Sequence, residues 1–177
     1  MDTENKKRIL LFTGDGKGKT TAALGITLRA AGHGMKSLMV QFVKSNKDTG
    51  ELTFSAGIPE IEIIQTGSGF VPDNNCADFE CHKQSAQAGL NTAQKALVSG
   101  KHPFVILDEI CVAVNKQLLD ERDVLDVING ACREIVIVLT GRNATQGLID
   151  IADTVTEMKC VKHGYRQNIQ ALPGVEY

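Results

Sequence analysis

The sequence predicts an α/β layered fold, a mostly parallel sheet with helices on both faces. Three observations carry this expectation. Short apolar runs alternate with longer helical stretches along the whole chain. Several of the runs, among them Val105-Ile106-Leu107 and Ile135-Val136-Ile137-Val138-Leu139, are apolar at every position, as strands covered from both sides must be. The first run also passes through a glycine turn straight into a helix. With 177 residues the chain suits one domain over 1–177, long enough to bury a core without disulfides or a structural metal.

In order, the predicted strands cover Ile9 to Phe12, Ser37 to Val43, Ile61 to Ile64, Phe104 to Leu107, Ile135 to Leu139 and Thr154 to Met158. A helix from Lys19 to Ala31 sets Ala23, Leu24, Thr27, Leu28 and Ala31 on one stripe. It stops at Gly32-His33-Gly34, where a glycine takes the left-handed cap. A second helix runs from about Ala77 to Val98 and ends at Ser99-Gly100; a third, from about Asp120 to Ala131, carries Val124, Leu125, Val127 and Ile128. The stretches Ser45 to Glu60 and Thr66 to Asp73 read as loops after the second and third strands. In open parallel sheets such loops form the ligand face.

Gly14-Asp15-Gly16-Lys17-Gly18-Lys19-Thr20-Thr21 lies between the first strand and the first helix. Glycines let the backbone curl until several N–H groups face inward, and the helix start adds partial positive charge, so the segment reads as a phosphate cradle. Lys19 is placed to reach the outer phosphates of a nucleotide, and the Thr20 hydroxyl to take a place on Mg²⁺. The common pattern G-x-x-x-x-G-K-[ST] puts its first glycine at Thr13, whereas here it comes one residue late, at Gly14. The dinucleotide pattern G-x-G-x-x-G fits worse, because Lys19 stands where the third glycine belongs.

The fourth strand ends in Asp108-Glu109, the place where a P-loop fold holds Mg²⁺ from the side opposite the threonine. Successive side chains on a strand diverge, so one of the two is expected to face the metal or its water shell. Leu139-Thr140-Gly141-Arg142 repeats the geometry one strand later, and Arg142 is a candidate phosphate clamp. Lys162-His163 either adds positive charge at the same face or is plain surface.

Composition excludes more than it selects. Nineteen Lys+Arg against 21 Asp+Glu leave a net charge of −2, which argues against a broad grip on nucleic acid. No run approaches the roughly 18 apolar residues of a membrane span, and Met1-Asp2-Thr3-Glu4-Asn5 is too acidic and polar for a secretory signal, so a cytosolic protein is expected. Five cysteines without C-x-x-C spacing indicate neither a disulfide framework nor a zinc site and are expected as reduced core thiols. Cys76, Cys81 and His82 are spaced so that they do not share a helical face. The guanine-reading N-K-x-D is missing, since Asn115-Lys116 is followed by Gln117-Leu118. The six arginines are scattered from Arg8 to Arg166, unlike the arginine-rich lid of a small-molecule kinase.

Taken together, the segment Thr13 to Ala23, Val40-Gln41-Phe42-Val43-Lys44, Leu107-Asp108-Glu109, Thr140-Gly141-Arg142, Ala152 to Met158, Lys162-His163 and Gly174-Val175-Glu176-Tyr177 resemble the P-loop ATP:corrinoid adenosyltransferases. The resemblance spans nearly the whole chain, and the late-glycine cradle is that family's own form. It implies a P-loop NTPase fold with a RecA-like sheet, and transfer of the 5′-deoxyadenosyl group of ATP to the cobalt of a reduced corrinoid with release of intact triphosphate. Cob(I)alamin is itself the nucleophile, so no acid or base residue is implied. By the same resemblance the backbone from Gly14 to Lys19 and the Lys19 ammonium would hold the triphosphate, with Thr20 and Glu109 on Mg²⁺; Thr21 beside them is counted with the ATP contacts and Asp108 with the ion through water. Arg142 is added to the phosphate contacts from its position rather than from the motif. An aromatic pair in the family's loop after the third strand displaces the corrinoid's lower axial base. Here Phe70 supplies the first ring, and Pro72 stands in place of the tryptophan. A homodimer and an electron donor such as a flavoprotein complete what the resemblance implies. The alternatives are an ordinary P-loop kinase or ATPase, and a corrinoid carrier that retains the ATP pocket.

Overall fold

The structure, a computed structural model, describes residues 7–72 and 78–175. Six strands, β1 (Arg8–Thr13), β2 (Ser37–Gln41), β3 (Ile61–Gln65), β4 (Phe104–Asp108), β5 (Val136–Thr140) and β6 (Thr154–Glu157), form one sheet. Their order is β3-β2-β4-β5-β1-β6, with every pair parallel. Parallel neighbours need crossovers, and here helices supply most of them: α1 (Lys19–Ala31), α2 (Gly50–Ser55), α3 (Phe79–Ser99), α4 (Ile110–Asn115), α5 (Glu121–Asn129) and α6 (Gln146–Asp150).

The all-apolar strands are explained by two cores. Register aligns Met39, Ile106 and Val138 across β2, β4 and β5, and these join Ala23 of α1 on one face. The residues between them, Leu38 and Val40, Val105 and Leu107, Ile137 and Leu139, point the other way into the larger core under α3 and α5. With side chains alternating across the strand, no position on β4 after Phe104 is left to solvent. Strand β6 differs most: it is one of the two edges, and all four of its residues are exposed.

The second and third predicted helices are found at Phe79–Ser99 and Glu121–Asn129, the latter with the Asp120 carboxylate accepting from the Arg122 amide at 2.8 Å. After α1 the left-handed glycine is Gly34, at φ 69°. Ala77, Asp73, Cys76, Glu176 and Tyr177 lie outside the described residues. Three expectations need correction. Ser45 to Glu60 is not all loop, because α2 forms inside it. Leu28 is not on the buried stripe of α1: that stripe is Lys19, Ala23, Thr27 and Ala30, and Leu28 is 54% exposed. The cysteines are not all core thiols. Among those described, Cys111 is buried, Cys132 and Cys160 are half-buried and Cys81 is exposed, since α3 turns Cys81 outward and His82 into the core.

Candidate active site

The carboxyl ends of β1, β5 and β4 lie side by side and carry the predicted site residues. Thr13 is still strand, paired with Glu157 of β6, so the chain turns left-handed only at the next residue, Gly14, at φ 93°. That is why the first glycine comes late. The Gly16 amide donates to the Met158 carbonyl at 2.6 Å, and a Cβ on either Gly14 or Gly16 would lie 2.6 Å from that same oxygen. Only glycine lets the loop lie so close to the backbone leaving β6. Gly18, at φ 105°, then opens α1.

Lys19 begins α1, yet its side chain folds back beneath the loop, where Nζ donates to the Gly14 carbonyl at 2.6 Å and the Gly16 carbonyl at 2.7 Å. The residue is 6% exposed. Burial lowers the ammonium pKa, and the Arg142 charge lowers it further, while Glu109, Asp15 and Cys111 act in the opposite sense. A cation held inside a curl of backbone at a helix start is arranged to receive an anion.

The paired acids at the end of β4 part company. Asp108 is fully buried; its Oδ1 accepts from the Thr20 hydroxyl at 2.9 Å and the Thr140 hydroxyl at 2.8 Å, and its Oδ2 from the Gln41 amide at 3.2 Å. Glu109 takes a left-handed conformation, φ 63° and ψ 23°, its N–H donating to Thr140 Oγ1 at 2.9 Å. Such a backbone costs a glutamate about 1 kcal/mol or more, and it turns the carboxylate out of the strand towards Lys19 and Arg142. Burial raises the Glu109 pKa and the Asp108 charge adds to this, against the pull of Lys19, Lys44 and Arg142. Arg142 follows Gly141, at φ 139°, where a Cβ would lie 2.8 Å from Cys111 Cβ. Burial, with the Glu109 charge, pushes the Cys111 thiol up to about 12, which leaves it an inert packing group.

Gly16 to Thr21, Glu109 and Arg142 all line one open cleft of about 670 Å³. Gly14 sits behind it, holding Lys19; Asp15 adds charge beside Lys19; Asp108 lies behind Thr20. Phe70 is not part of this lining. It stands 94% exposed on the loop after β3. Four residues that motif reading assigned no role complete the site. Thr140 and Gln41 fix Asp108, and Gln41 in turn accepts from the Gln65 amide at 3.0 Å. Lys44 and Glu51 line the cleft and pair at 2.8 Å. Gln41, Lys44 and Thr140 lie within segments that carry the family resemblance, whereas the sequence signal of Glu51 is only its place in the segment after β2.

The oxygen chemistry suits a hard divalent cation. The Thr20 hydroxyl donates to Asp108 and keeps its lone pairs for a ligand, while Glu109 is a carboxyl that burial and the Asp108 charge make costly to ionise, a cost that a bound cation would offset.

Comparison with known proteins agrees with this geometry. A family model described as ATP:corrinoid adenosyltransferase BtuR/CobO/CobP matches residues 5–177. The corrinoid adenosyltransferase of Pseudomonas aeruginosa is 38% identical over 170 residues, 96% of this chain and 83% of that protein. The corrinoid adenosyltransferase CobA of Salmonella typhimurium is 34% identical over 98% of this chain and 87% of its own length. Among solved structures, the KaiC-like protein PH0186 of Pyrococcus horikoshii superposes with a TM-score of 0.50, covering 88% of this chain and 72% of that one at 19% identity, which supports the RecA-like P-loop fold alone. The chain belongs to the ATP:corrinoid adenosyltransferase family, enzymes whose substrates are ATP and a corrinoid.

Proposed function

We propose that the cleft described above is where the adenosyl group leaves ATP, with the residues in the following roles. The amides from Gly14 to Lys19, the Lys19 ammonium, Thr21 and Arg142 hold the triphosphate. Thr20 and Glu109 hold Mg²⁺, and Asp108 orients Thr20 and reaches the ion through water. When bound, the ion would neutralise charge on the triphosphate. The observation that carries this reading is the convergence of Lys19, Thr20, Glu109 and Arg142 on one cleft. Bound phosphates replace the two carbonyls that Lys19 now holds, so no buried cation is left unpaired in either state.

The chemistry asks little else of the protein. The reduced cobalt attacks C5′ with its own electron pair, and no proton has to be removed. What remains is alignment and stabilisation of the departing charge. Phe70 is the proposed cobalt-side contact, supported by its full exposure on the loop after β3. The chain works as one unit over 1–177. The family resemblance further supports a cytosolic homodimer, with a flavoprotein as electron donor.

The test is direct. Purified protein with ATP, Mg²⁺ and chemically reduced cob(I)alamin should give a light-sensitive alkylcobalt spectrum and stoichiometric tripolyphosphate. Release of ADP and orthophosphate without that spectrum would overturn the proposal.

A further inference from the structure

The departing triphosphate carries one more negative charge than it did as part of ATP. Cobalt(I) gives its electron pair to C5′ and becomes formally cobalt(III), the C5′–O5′ bond breaks, and its pair leaves on the phosphate oxygen. Interactions that strengthen as that charge appears are the ones that accelerate the step. Lys19 and Arg142 are accounted for as phosphate contacts from the cradle and from β5. A further cation on the cleft wall, Lys44, lies outside the cradle and has no such account.

Its placement is informative. Lys44 leaves the sheet just past the end of β2, the neighbour of β4, whereas Arg142 leaves it past β5, the neighbour on the other side. Glu109, past β4, therefore has a cation on either flank, and its carboxylate feels the charge of both. Lys44 Nζ rests 2.8 Å from Glu51 Oε1 at the first turn of α2, with side-chain exposures of 32% and 11%. The Glu51 carboxyl is itself tied to the metal side: the Gln41 amide approaches Glu51 at 3.5 Å and Asp108 at 3.2 Å. Burial pushes the Glu51 carboxyl up, but the Lys44 hydrogen bond and charge, a backbone hydrogen bond and the Gln41 amide together outweigh it and hold it below the ordinary carboxylate value. Partly exposed ion pairs of this kind stabilise a fold by no more than about 1 kcal/mol. Stability alone does not explain a charged pair set on the wall of a phosphate cleft.

We infer that Lys44 is a catalytic residue, parked on Glu51 in the empty cleft and transferred to the departing triphosphate as the C5′–O5′ bond breaks, on the flank opposite Arg142. Glu51 is its positioning residue. This inference rests on the adenosyl-transfer reading above.

Lys44→Met and Glu51→Gln both break the same ion pair, so comparing them isolates the ammonium from the pairing. Two readouts apply: kcat with chemically reduced cob(I)alamin, and calorimetric binding of ATP and of tripolyphosphate without corrinoid. Lys44→Met should lower kcat about a hundredfold, the scale of one lost transition-state donor, while ATP affinity changes less than about threefold. It should weaken tripolyphosphate binding about tenfold, and Glu51→Gln, which frees the ammonium, should tighten it about threefold. Lys44→Arg should recover part of the lost kcat and guards against a variant that merely fails to fold. Shifts of the two variants in the same direction, or a Lys44→Met enzyme with the wild-type kcat, would overturn the inference while leaving adenosyl transfer intact. A wild-type protein that makes no alkylcobalt product would overturn both.

Discussion

Two loops at the carboxyl edge of the sheet are braced in the same way and shaped to opposite ends. In the cradle, Gly14 and Gly16 press against the Met158 carbonyl and the chain closes around Lys19, which is nearly hidden from solvent. In the loop after β3, the Thr66 and Gly67 amides donate to the Gln41 carbonyl and the Gly69 amide to the Val43 carbonyl, and a Cβ on Gly67 would collide with the Val43 backbone. Here the chain does not close. Val71 is buried at 6% exposure, and its neighbour Phe70 is thrust out. Under the proposed function the leaving-group end must enclose charge, whereas the corrinoid end receives a large partner that brings its own nucleophile and needs only a fixed platform.

The sharpest break of this comparison is Lys19→Ala. It removes a charge-assisted phosphate contact worth about 1.5–3 kcal/mol, so calorimetry should show ATP affinity lowered by at least tenfold, and kcat/KM for ATP should fall by about 10² to 10³. Next come paired glycine changes, one in each loop. Gly16→Ala sets a Cβ 2.6 Å from one carbonyl oxygen and 2.8 Å from another, so the cradle must shift; a loss of about 1–3 kcal/mol in stability and weaker ATP binding are expected. Gly67→Ala should instead raise KM for the corrinoid and leave ATP binding alone. If both variants raise the same KM, the two ends are not separate. Phe70→Ala is a smaller change still: roughly tenfold lower rate from cob(II)alamin with reductant, the scale of a few lost aromatic contacts, and less from preformed cob(I)alamin, read from the alkylcobalt spectrum.

The smallest effect concerns stability. Glu109 has a raised pKa in the fold, so the folded protein binds its proton more tightly than the unfolded chain, and ionising it costs stability as pH rises through and beyond the ordinary carboxylate range. Glu109→Gln should therefore raise Tm at pH 8, with the gain shrinking as pH falls below that range, and should abolish adenosylation at the same time. A Tm difference independent of pH would show that the carboxylate carries no such strain.

Much of this was legible in residue order, and the reasons are physical. Strands β4 and β5 announce themselves because burial on both faces leaves only their carboxyl-end residues, Asp108 and Thr140, polar, and the cradle because its glycines, lysine and threonine are contiguous. The short helices α2, α4 and α6 were not legible: five or six residues are too few for a 3.6-residue period to show. Nor was the grip on Asp108, whose partners Thr20, Gln41 and Thr140 come from three different elements brought together by the sheet order. Leu28 misled because an apolar residue at helical spacing also suits the wall of an open cleft. Periodicity reports what is apolar, not what covers it.

The seating of the cradle against Met158 has a consequence for how the enzyme comes into being. Strand β1 leaves the ribosome first, yet its partners in the sheet, β5 and β6, are synthesised last; the Ile9 amide finds the Asp153 carboxylate across 144 positions of sequence. A nascent polypeptide that stops short of β6 has the complete nucleotide signature but lacks the Met158 carbonyl against which Gly14 and Gly16 are seated. Under the proposed function, ATP binding is then expected only once β6 has joined the sheet.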